Sequence, residues 1–220
     1  MAVGAQVPHR HLRPSMSRCS LRDVGTPLKG DDMSDGESDA RFVIQAADSL
    51  VAQLRPAVDN DWSTRAGALT WSVREVIDHL VDVCGFYSIH LAARSPKRLP
   101  VDVRPHLAAS NDQRLDTLAA TARLLASTIV VAEDGATGWH FTGPTDASGF
   151  AHLACNELLV HGWDAAQGLA LPWQVDEDLC ERTLRRTFSV ASDSPEPWLT
   201  LLSVNGRDPD RTTVPWQVSL

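Results

Sequence analysis

A glutamate and a histidine lie four residues apart in the segment Glu157-Leu-Leu-Val-His161, and Asp164 follows three residues later. Four residues advance an α-helix by about 400°, so Glu157 and His161 project from one face, one turn apart. Three further residues return Asp164 to the same side. A carboxylate and an imidazole placed in this way provide half of a metal site, so the remaining ligands must come from another part of the chain.

His79 is the candidate for the third ligand because it lies on an apolar stripe, with Val76, Val83 and Phe86 at helical spacing. A lone histidine on an apolar face is more often a packed core residue than a ligand. A carboxylate such as Glu157, however, is costly among apolar neighbours unless a cation or a hydrogen-bond network compensates it. Two imidazoles and one carboxylate form a catalytic zinc ligand set, which also suits iron, nickel or manganese.

The residues therefore predict a divalent-metal site formed by His79, Glu157 and His161, and the alternative is a buried histidine–glutamate network without a metal. Asp164, Asp82 or Asp78 would accept the free N–H of a ligating histidine. A solvent-facing position is an equal alternative for Asp164. Helix geometry turns Cys84 about 140° away from His79 and Cys155 about 160° away from Glu157, so neither thiol is expected to reach the metal. The remaining histidines are interpreted as solvated or packing residues: His9, His11, His90, His106, His140 and His152.

Four helical stretches must position these side chains, and they are predicted at about residues 39–58, 72–94, from 110 onward, and 146–169. Capping boxes begin the second and third, at Ser72-Val-Arg-Glu75 and Ser110-Asn-Asp-Gln113. Four amphipathic helices of similar length indicate an all-α four-helix bundle, in which facing helices build metal sites. One extra short helix is predicted at about residues 176–189, and residues 197–207 are expected to pack against the outside of the bundle.

Composition limits the class of protein. The 220 residues carry a net charge of −8, which argues against nucleic acid as the main partner. A continuous run of about 18 apolar residues, the length that crosses a bilayer, is not found, so no membrane partner is expected. The four cysteines show neither CxxC spacing nor the density of a disulfide framework, which favours reduced thiols and the cytoplasm.

The first 32 residues hold scattered proline, glycine and serine and a net positive charge. They are predicted to form a disordered tail, with residues 33–220 as one metal-binding helical-bundle domain. Met33 is an alternative start of the protein.

Two motifs resemble a known family. The segment Trp71-Ser-Val-Arg-Glu-Val-Ile-Asp-His79-Leu is similar to the start of the second helix of DinB-like proteins, and closest to an actinobacterial branch. That branch is related to the N-terminal domain of mycothiol-dependent maleylpyruvate isomerase. Its fourth-helix motif resembles Asp146-Ala-Ser-Gly-Phe together with Glu157-Leu-Leu-Val-His-Gly-Trp-Asp164-Ala-Ala-Gln-Gly. The segments Pro197-Trp-Leu-Thr-Leu-Leu and Gly206-Arg207 resemble the C-terminal part of the proteins in this branch. The likeness therefore covers about residues 39–210.

The resemblance implies a DinB-type bundle that binds a divalent metal, usually zinc, with the family's ligands falling on His79, Glu157 and His161. In the isomerase the metal activates the thiol of mycothiol. The expected function is therefore a mycothiol-dependent transferase or isomerase, with a small-molecule thiol and a small electrophilic substrate as partners. The alternative is a non-catalytic metal-binding stress-response or interaction protein of the same fold. A homodimer is compatible with either.

The isomerase has a separate C-terminal domain that contributes to its active site, and this chain is expected to lack one. Isomerisation of maleylpyruvate itself is therefore not expected. Arg207, in the tail motif, is either a clamp for an anionic group of the substrate or an exposed loop residue.

Overall fold

The computed structural model describes residues 34–188 and 194–207, and most of them are helical. The elements in chain order are α1 Asp35–Leu54, a 3₁₀ turn Arg55–Ala57, α2 Val73–Ala93, α3 Asn111–Val130, β1 Thr137–Gly138, β2 Thr145–Asp146, α4 Ala147–Gly168, α5 Glu177–Thr187 and α6 Pro197–Val204. The prediction of an all-α fold is confirmed. The predicted tail at residues 1–32 and the alternative start at Met33 lie outside the described residues.

Side-chain caps begin each of the four long helices. Capping boxes pair Ser34 with Glu37, Ser72 with Glu75 and Ser110 with Gln113 at the starts of α1, α2 and α3. Asp146 caps α4 by accepting a hydrogen bond from the Gly149 backbone N–H at 2.7 Å. These caps satisfy backbone donors that the helices cannot satisfy themselves, and they set where each helix begins.

The four long helices form a bundle in which α1 and α2 pack mainly on α3 and α4 rather than on each other. Helix α2 therefore lies between α3 and α4. Its buried stripe includes Val76, Leu80 and Val83, which join the core with Leu118 of α3 and Phe150 of α4. This arrangement places the faces of α2 and α4 that carry the predicted ligands against each other.

Helix α2 is the one described helix that is long and apolar enough, by length and composition, to cross a membrane. Of its apolar window, 61% is buried inside the bundle, as is usual for the core helix of a helical domain.

Two short helices extend the bundle, where one was predicted. Helix α5 packs on α4, and α6 packs on α5 and α4. Helix α6 begins with Pro197 in its first turn, and its C-terminal Asn205 exchanges two side-chain hydrogen bonds with Asn156 of α4, at 2.8 and 3.1 Å. This amide pair holds the residues that follow α6 close to the ligand-bearing part of α4.

The loop between α2 and α3 is held in place by side chains of both helices. Arg114 of α3 donates hydrogen bonds to the backbone carbonyls of His106, Leu107 and Ala109. Val103 packs so closely over Gly85 that a Cβ at residue 85 would lie 2.7 Å from the valine side chain. Glycine at this position therefore lets the loop lie directly on α2.

Candidate metal centre

Helices α2 and α4 bring the three predicted ligands together. One donor atom each from His79, Glu157 and His161 can be chosen so that all three lie within 4.8 Å of one another. Glu157 Oε2 is 3.2 Å from His79 Nε2 and 3.3 Å from His161 Nε2. Two donors at zinc-bonding range of one tetrahedral ion lie about 3.3 Å apart, so the separations and the N/O donor types fit a divalent metal.

Trp71 lies over both imidazole rings from the residue before the α2 cap. Its ring centroid is 5.1 Å from that of His79, and it stacks on His161 at 6.0 Å. Trp71 is 41% exposed and covers the two imidazoles only in part, since the His79 side chain remains 30% exposed.

Glu157 and His161 influence each other's protonation. Burial would raise the pKa of the Glu157 carboxyl, but hydrogen bonds with His161 and His79 hold that pKa well below its ordinary value. Burial would lower the pKa of His161, but hydrogen bonds with Asp164 and Glu157 raise it to about 9. Without a metal, the pair is therefore a carboxylate and an imidazolium at neutral pH.

Asp164 accepts a hydrogen bond from the outer ring nitrogen of His161. Its Oδ2 lies 3.0 Å from His161 Nδ1, which leaves Nε2 directed toward Glu157. Asp164 is 1% exposed, so the structure places it inside the site rather than in solvent. A carboxylate in this position fixes the tautomer of a ligating histidine and raises its basicity.

Arg207 reaches the same carboxylate from the residues after α6. Its Nη2 donates to Asp164 Oδ2 at 2.9 Å, and its Nη1 donates to the Asn205 carbonyl at 2.6 Å. The guanidinium is thus neither an exposed loop group nor a free clamp for an anion. It neutralises Asp164 and lies 3.5 Å from His161 Nδ1.

Asp82 and Asp78 differ from the expectation that they orient a ligating histidine. Asp82 Oδ1 accepts the Val103 backbone N–H at 2.7 Å, and Asp78 Oδ1 accepts Arg114 Nε–H at 2.8 Å. The two carboxylates therefore bond the α2–α3 loop and α3 rather than an imidazole.

The cysteines of the described residues are free and buried: Cys84, Cys155 and Cys180. Burial raises the pKa of Cys84 to about 12 and that of Cys155 well above its ordinary value. None belongs to the metal-ligand cluster found in residues 34–188 and 194–207. Cys19 lies outside the described residues.

His79 lines two cavities. The first, which we call the aromatic cavity, has a volume of about 400 Å³, and its apolar wall consists of Val83, Phe86, Trp139 and Phe141. His79, Glu157, Tyr87, His140, Asp82 and Arg98 supply its polar groups. The second, the acidic cavity, has a volume of about 350 Å³ and is lined by Trp71, Glu75, Asp78, His79, Asp82 and Arg104. Of the candidate ligands, His79 and Glu157 are therefore accessible to a small molecule.

Tyr87 and His140 are cavity residues that the sequence did not predict, and of the two only His140 was considered. It was interpreted as a solvated or packing residue, yet it lines the aromatic cavity although it is only 2% exposed. It lies between β1 and β2, and that hairpin packs on α2 because Gly138 sits against the His90 carbonyl, where a Cβ would lie 2.4 Å away. The one signal in the sequence was Gly138 in a turn-rich segment, and a glycine does not show which helix the hairpin packs on.

The other tryptophans and histidines have varied roles. Trp62 is fully buried and donates to the Ala57 carbonyl, whereas Trp139 lines the aromatic cavity. His90 accepts the Leu99 N–H, and His152 bonds the Ser148 carbonyl, so these two histidines are packing residues.

The fold and the site define an all-α bundle protein with a two-histidine, one-glutamate cluster between facing helices. Residues 43–166 match the family described as the mycothiol maleylpyruvate isomerase N-terminal domain, which is a DinB-like family. Because the match covers more than half of the chain, the protein belongs to this family. The matched range includes His79, Glu157 and His161 and does not include Arg207. Comparisons with curated proteins and with solved structures returned no match.

Proposed function

We propose that the protein binds a divalent metal, zinc in the first place, through His79, Glu157 and His161. We further propose that it uses the metal to present the thiol of mycothiol to a small electrophile. The observation that carries this proposal is the convergence of three donor atoms within 4.8 Å beside a cavity of about 400 Å³. Nickel, iron and manganese accept the same ligands and are the other candidates.

A bound divalent metal with an open coordination position lowers the pKa of a thiol that it ligates, which makes the thiolate available at neutral pH. We propose a small molecule as the source of the thiol, and in support of this the three cysteines of the described residues are buried away from the cluster. In the proposed transfer, the sulfur forms a bond with an electrophilic carbon. The leaving group departs with the bonding electrons, and the thiol proton passes to solvent.

The protein's own side chains have three roles in this proposal. Asp164 keeps the proton of His161 on Nδ1, so that Nε2 is free to ligate. Trp71 limits the access of water to the two imidazoles. The aromatic cavity, which Glu157 and His79 border, receives the electrophile, and the acidic cavity, which His79 also borders, supplies polar acceptors for a hydroxyl-rich thiol.

Metal analysis tests the first part of the proposal. The purified protein should hold one equivalent of metal, and His79→Ala, His161→Ala and Glu157→Gln should hold much less. His106→Ala, which removes an exposed loop histidine, is the matched control and should retain full occupancy. Equal metal content in all five proteins would overturn the assignment of the ligands.

Calorimetric titration of the zinc-loaded protein with mycothiol tests the second part. Binding that needs both zinc and the thiol group, and that is lost with the S-methyl derivative, is expected. A protein that holds zinc tightly but does not bind mycothiol would instead be the non-catalytic metal-binding protein of this fold.

The cytoplasm is the proposed location. Three free thiols lie in the core of the described chain, which is usual for proteins of a reducing compartment. Alkylation of denatured protein, isolated without reductant, should modify these cysteines fully.

A further inference from the structure

The aromatic cavity contains a second polar pair besides the candidate ligands, formed by Tyr87 of α2 and His140 of the hairpin. Tyr87 Oη lies 3.4 Å from His140 Nε2, and both side chains line the cavity. Tyr87 is 6% exposed and His140 is 2% exposed. A buried pair on the wall of a cavity is available to a ligand while being protected from bulk water.

The hydrogen bonds around His140 indicate which of its ring nitrogens carries the proton. The backbone N–H of Thr142 points at His140 Nδ1 at 3.4 Å, and the Thr142 hydroxyl lies 2.7 Å from the same nitrogen. A backbone N–H can only donate, so Nδ1 is the acceptor and the ring proton is on Nε2. His140 Nε2–H therefore donates to the Tyr87 oxygen.

Because His140 is the donor in this hydrogen bond, the hydroxyl hydrogen of Tyr87 is free to bond another group. Within residues 34–188 and 194–207, His140 is the one hydrogen-bond partner of Tyr87 Oη. Because that oxygen accepts from His140, its own hydrogen can be donated to a ligand in the cavity. A buried donor without an acceptor is costly, which is a reason to expect that a ligand supplies one.

Both members of the pair are neutral at physiological pH. Burial lowers the pKa of His140 to about 4 and raises the pKa of Tyr87 well above its ordinary value. The pair therefore provides a neutral O–H donor, which a carbonyl oxygen can accept.

The apolar wall around this donor favours a flat molecule. Phe86 and Trp139 lie with their ring centroids 6.1 Å apart at an interplanar angle of 72°, and Phe141 lies beside His140 at 4.2 Å. Aromatic side chains arranged in this way accept a ring by edge and face contacts.

We propose that Tyr87, positioned by His140, donates a hydrogen bond to the carbonyl oxygen of an aromatic carbonyl compound bound in the aromatic cavity. This inference rests on the proposed function, because it names the substrate class of the same site. Tyr87 is the specificity-determining residue, and His140 is a positioning residue that acts through it.

The test measures binding of two probes to the zinc-loaded protein and to the metal-free protein, without any thiol. Acetophenone and ethylbenzene have the same ring and nearly the same shape, but only acetophenone has a carbonyl oxygen. Tyr87→Phe keeps the ring and removes the donor. We expect it to weaken acetophenone binding by about 2- to 13-fold, the value of one neutral hydrogen bond, and to leave ethylbenzene binding unchanged.

Infrared spectroscopy of acetophenone labelled with ¹³C at the carbonyl adds a readout that a structural role would not change. The bound carbonyl band should lie at lower frequency in the wild type than in Tyr87→Phe. His140→Phe should shift the band in the same direction as Tyr87→Phe, and His140→Gln, which retains an N–H donor, should restore it partly. Thermal unfolding verifies that each variant is folded.

Equal weakening of both probes in Tyr87→Phe, an unshifted carbonyl band, or no binding of either probe would overturn the inference. Failure of the proposed function gives a different result. In that case mycothiol does not bind or zinc is not held, while the dependence of acetophenone binding on Tyr87 persists.

Discussion

Helix α2 contributes adjacent residues to two polar clusters that the bundle compensates in different ways. Asp78 faces α3, where it pairs with Arg114 at 2.8 Å. His79 faces α4, where it meets Glu157 at 3.2 Å. The two side chains are about 100° apart on the same helix, so the difference between the clusters comes from what each meets.

The guanidinium of Arg114 is enclosed by the chain, although its partner Asp78 also borders the acidic cavity. Arg114 is 1% exposed, and its guanidinium donates to Asp78 and to three carbonyls of the α2–α3 loop. Burial raises the pKa of Asp78 in spite of the adjacent guanidinium, so the pair costs desolvation that its hydrogen bonds must offset. The chain supplies all the compensation, and the result is an anchored loop.

The metal-ligand cluster is open. Glu157 is compensated by two imidazoles, but His79 and Glu157 also form part of the wall of the aromatic cavity. Both clusters border a cavity, but the hydrogen bonds of Arg114 are completed by the chain, whereas the donor atoms of the three candidate ligands converge on one point without a further cation among the described residues to complete them. Four predictions test this distinction.

Arg114→Met should give the largest change in stability. Removing one partner of a buried ion pair costs about 3–5 kcal/mol, and here three loop carbonyls also lose their donor. Urea unfolding of the metal-free protein measures the loss. Arg123→Ala, which breaks the exposed pair with Asp48, is the control and should change stability by less than about 1 kcal/mol. A loss of that small size for Arg114→Met would mean that the cluster is not a structural anchor.

Zinc should stabilise the wild type by about 2.7 kcal/mol at a free concentration of 100 times its Kd, because only the folded chain assembles the ligands. Arg114→Met should retain this gain, since its cluster is separate, whereas Glu157→Gln should lose most of it. Unfolding with and without zinc gives the difference. If Arg114→Met lost the gain as fully as Glu157→Gln, the two clusters would be one unit.

Asp164→Asn should weaken zinc binding by about 10- to 100-fold, the usual effect of removing a carboxylate that orients a ligating histidine. Asp82→Asn is the matched control, because Asp82 bonds the Val103 N–H rather than an imidazole, and it should change the affinity by about twofold at most. Competition with a chromophoric chelator measures both. An equal effect of the two substitutions would contradict the role of Asp164.

Zinc affinity should increase about tenfold per pH unit up to about pH 9. His161 is protonated below its pKa of about 9 in the metal-free protein, and a metal requires the neutral ring, so binding releases one proton. The free energy of unfolding of the metal-free protein should decrease over the same pH range. The contribution of a raised histidine pKa is fully present below the unfolded value near 6.5 and is lost as the pH rises through about 9. Calorimetry in buffers of different ionisation enthalpy counts the released protons, and a pH-independent affinity would contradict the proton count.

The helices that carry the site were predictable because their signals are local. The capping box at Ser72 predicted α2 at residues 72–94, and the structure has Val73–Ala93. Helix α4 was predicted at 146–169 and is observed at Ala147–Gly168. Helix α1 begins four residues earlier than predicted because Ser34 and Glu37 form a capping box that was not used. Helix α6 was missed because eight residues are too short for a periodic pattern.

That Glu157 and His161 share one face was predictable from their spacing alone, because the pitch of a helix depends on neighbouring residues only. The sequence also led to His79 through an apolar stripe, and the family match covers all three. Three contacts became known only from the packed structure: Asp164 accepts from Arg207, Asp82 accepts from the backbone of the α2–α3 loop, and His140 lies against Tyr87. Those contacts join residues far apart in the chain, and their geometry depends on how helices and loops pack, which no local spacing records.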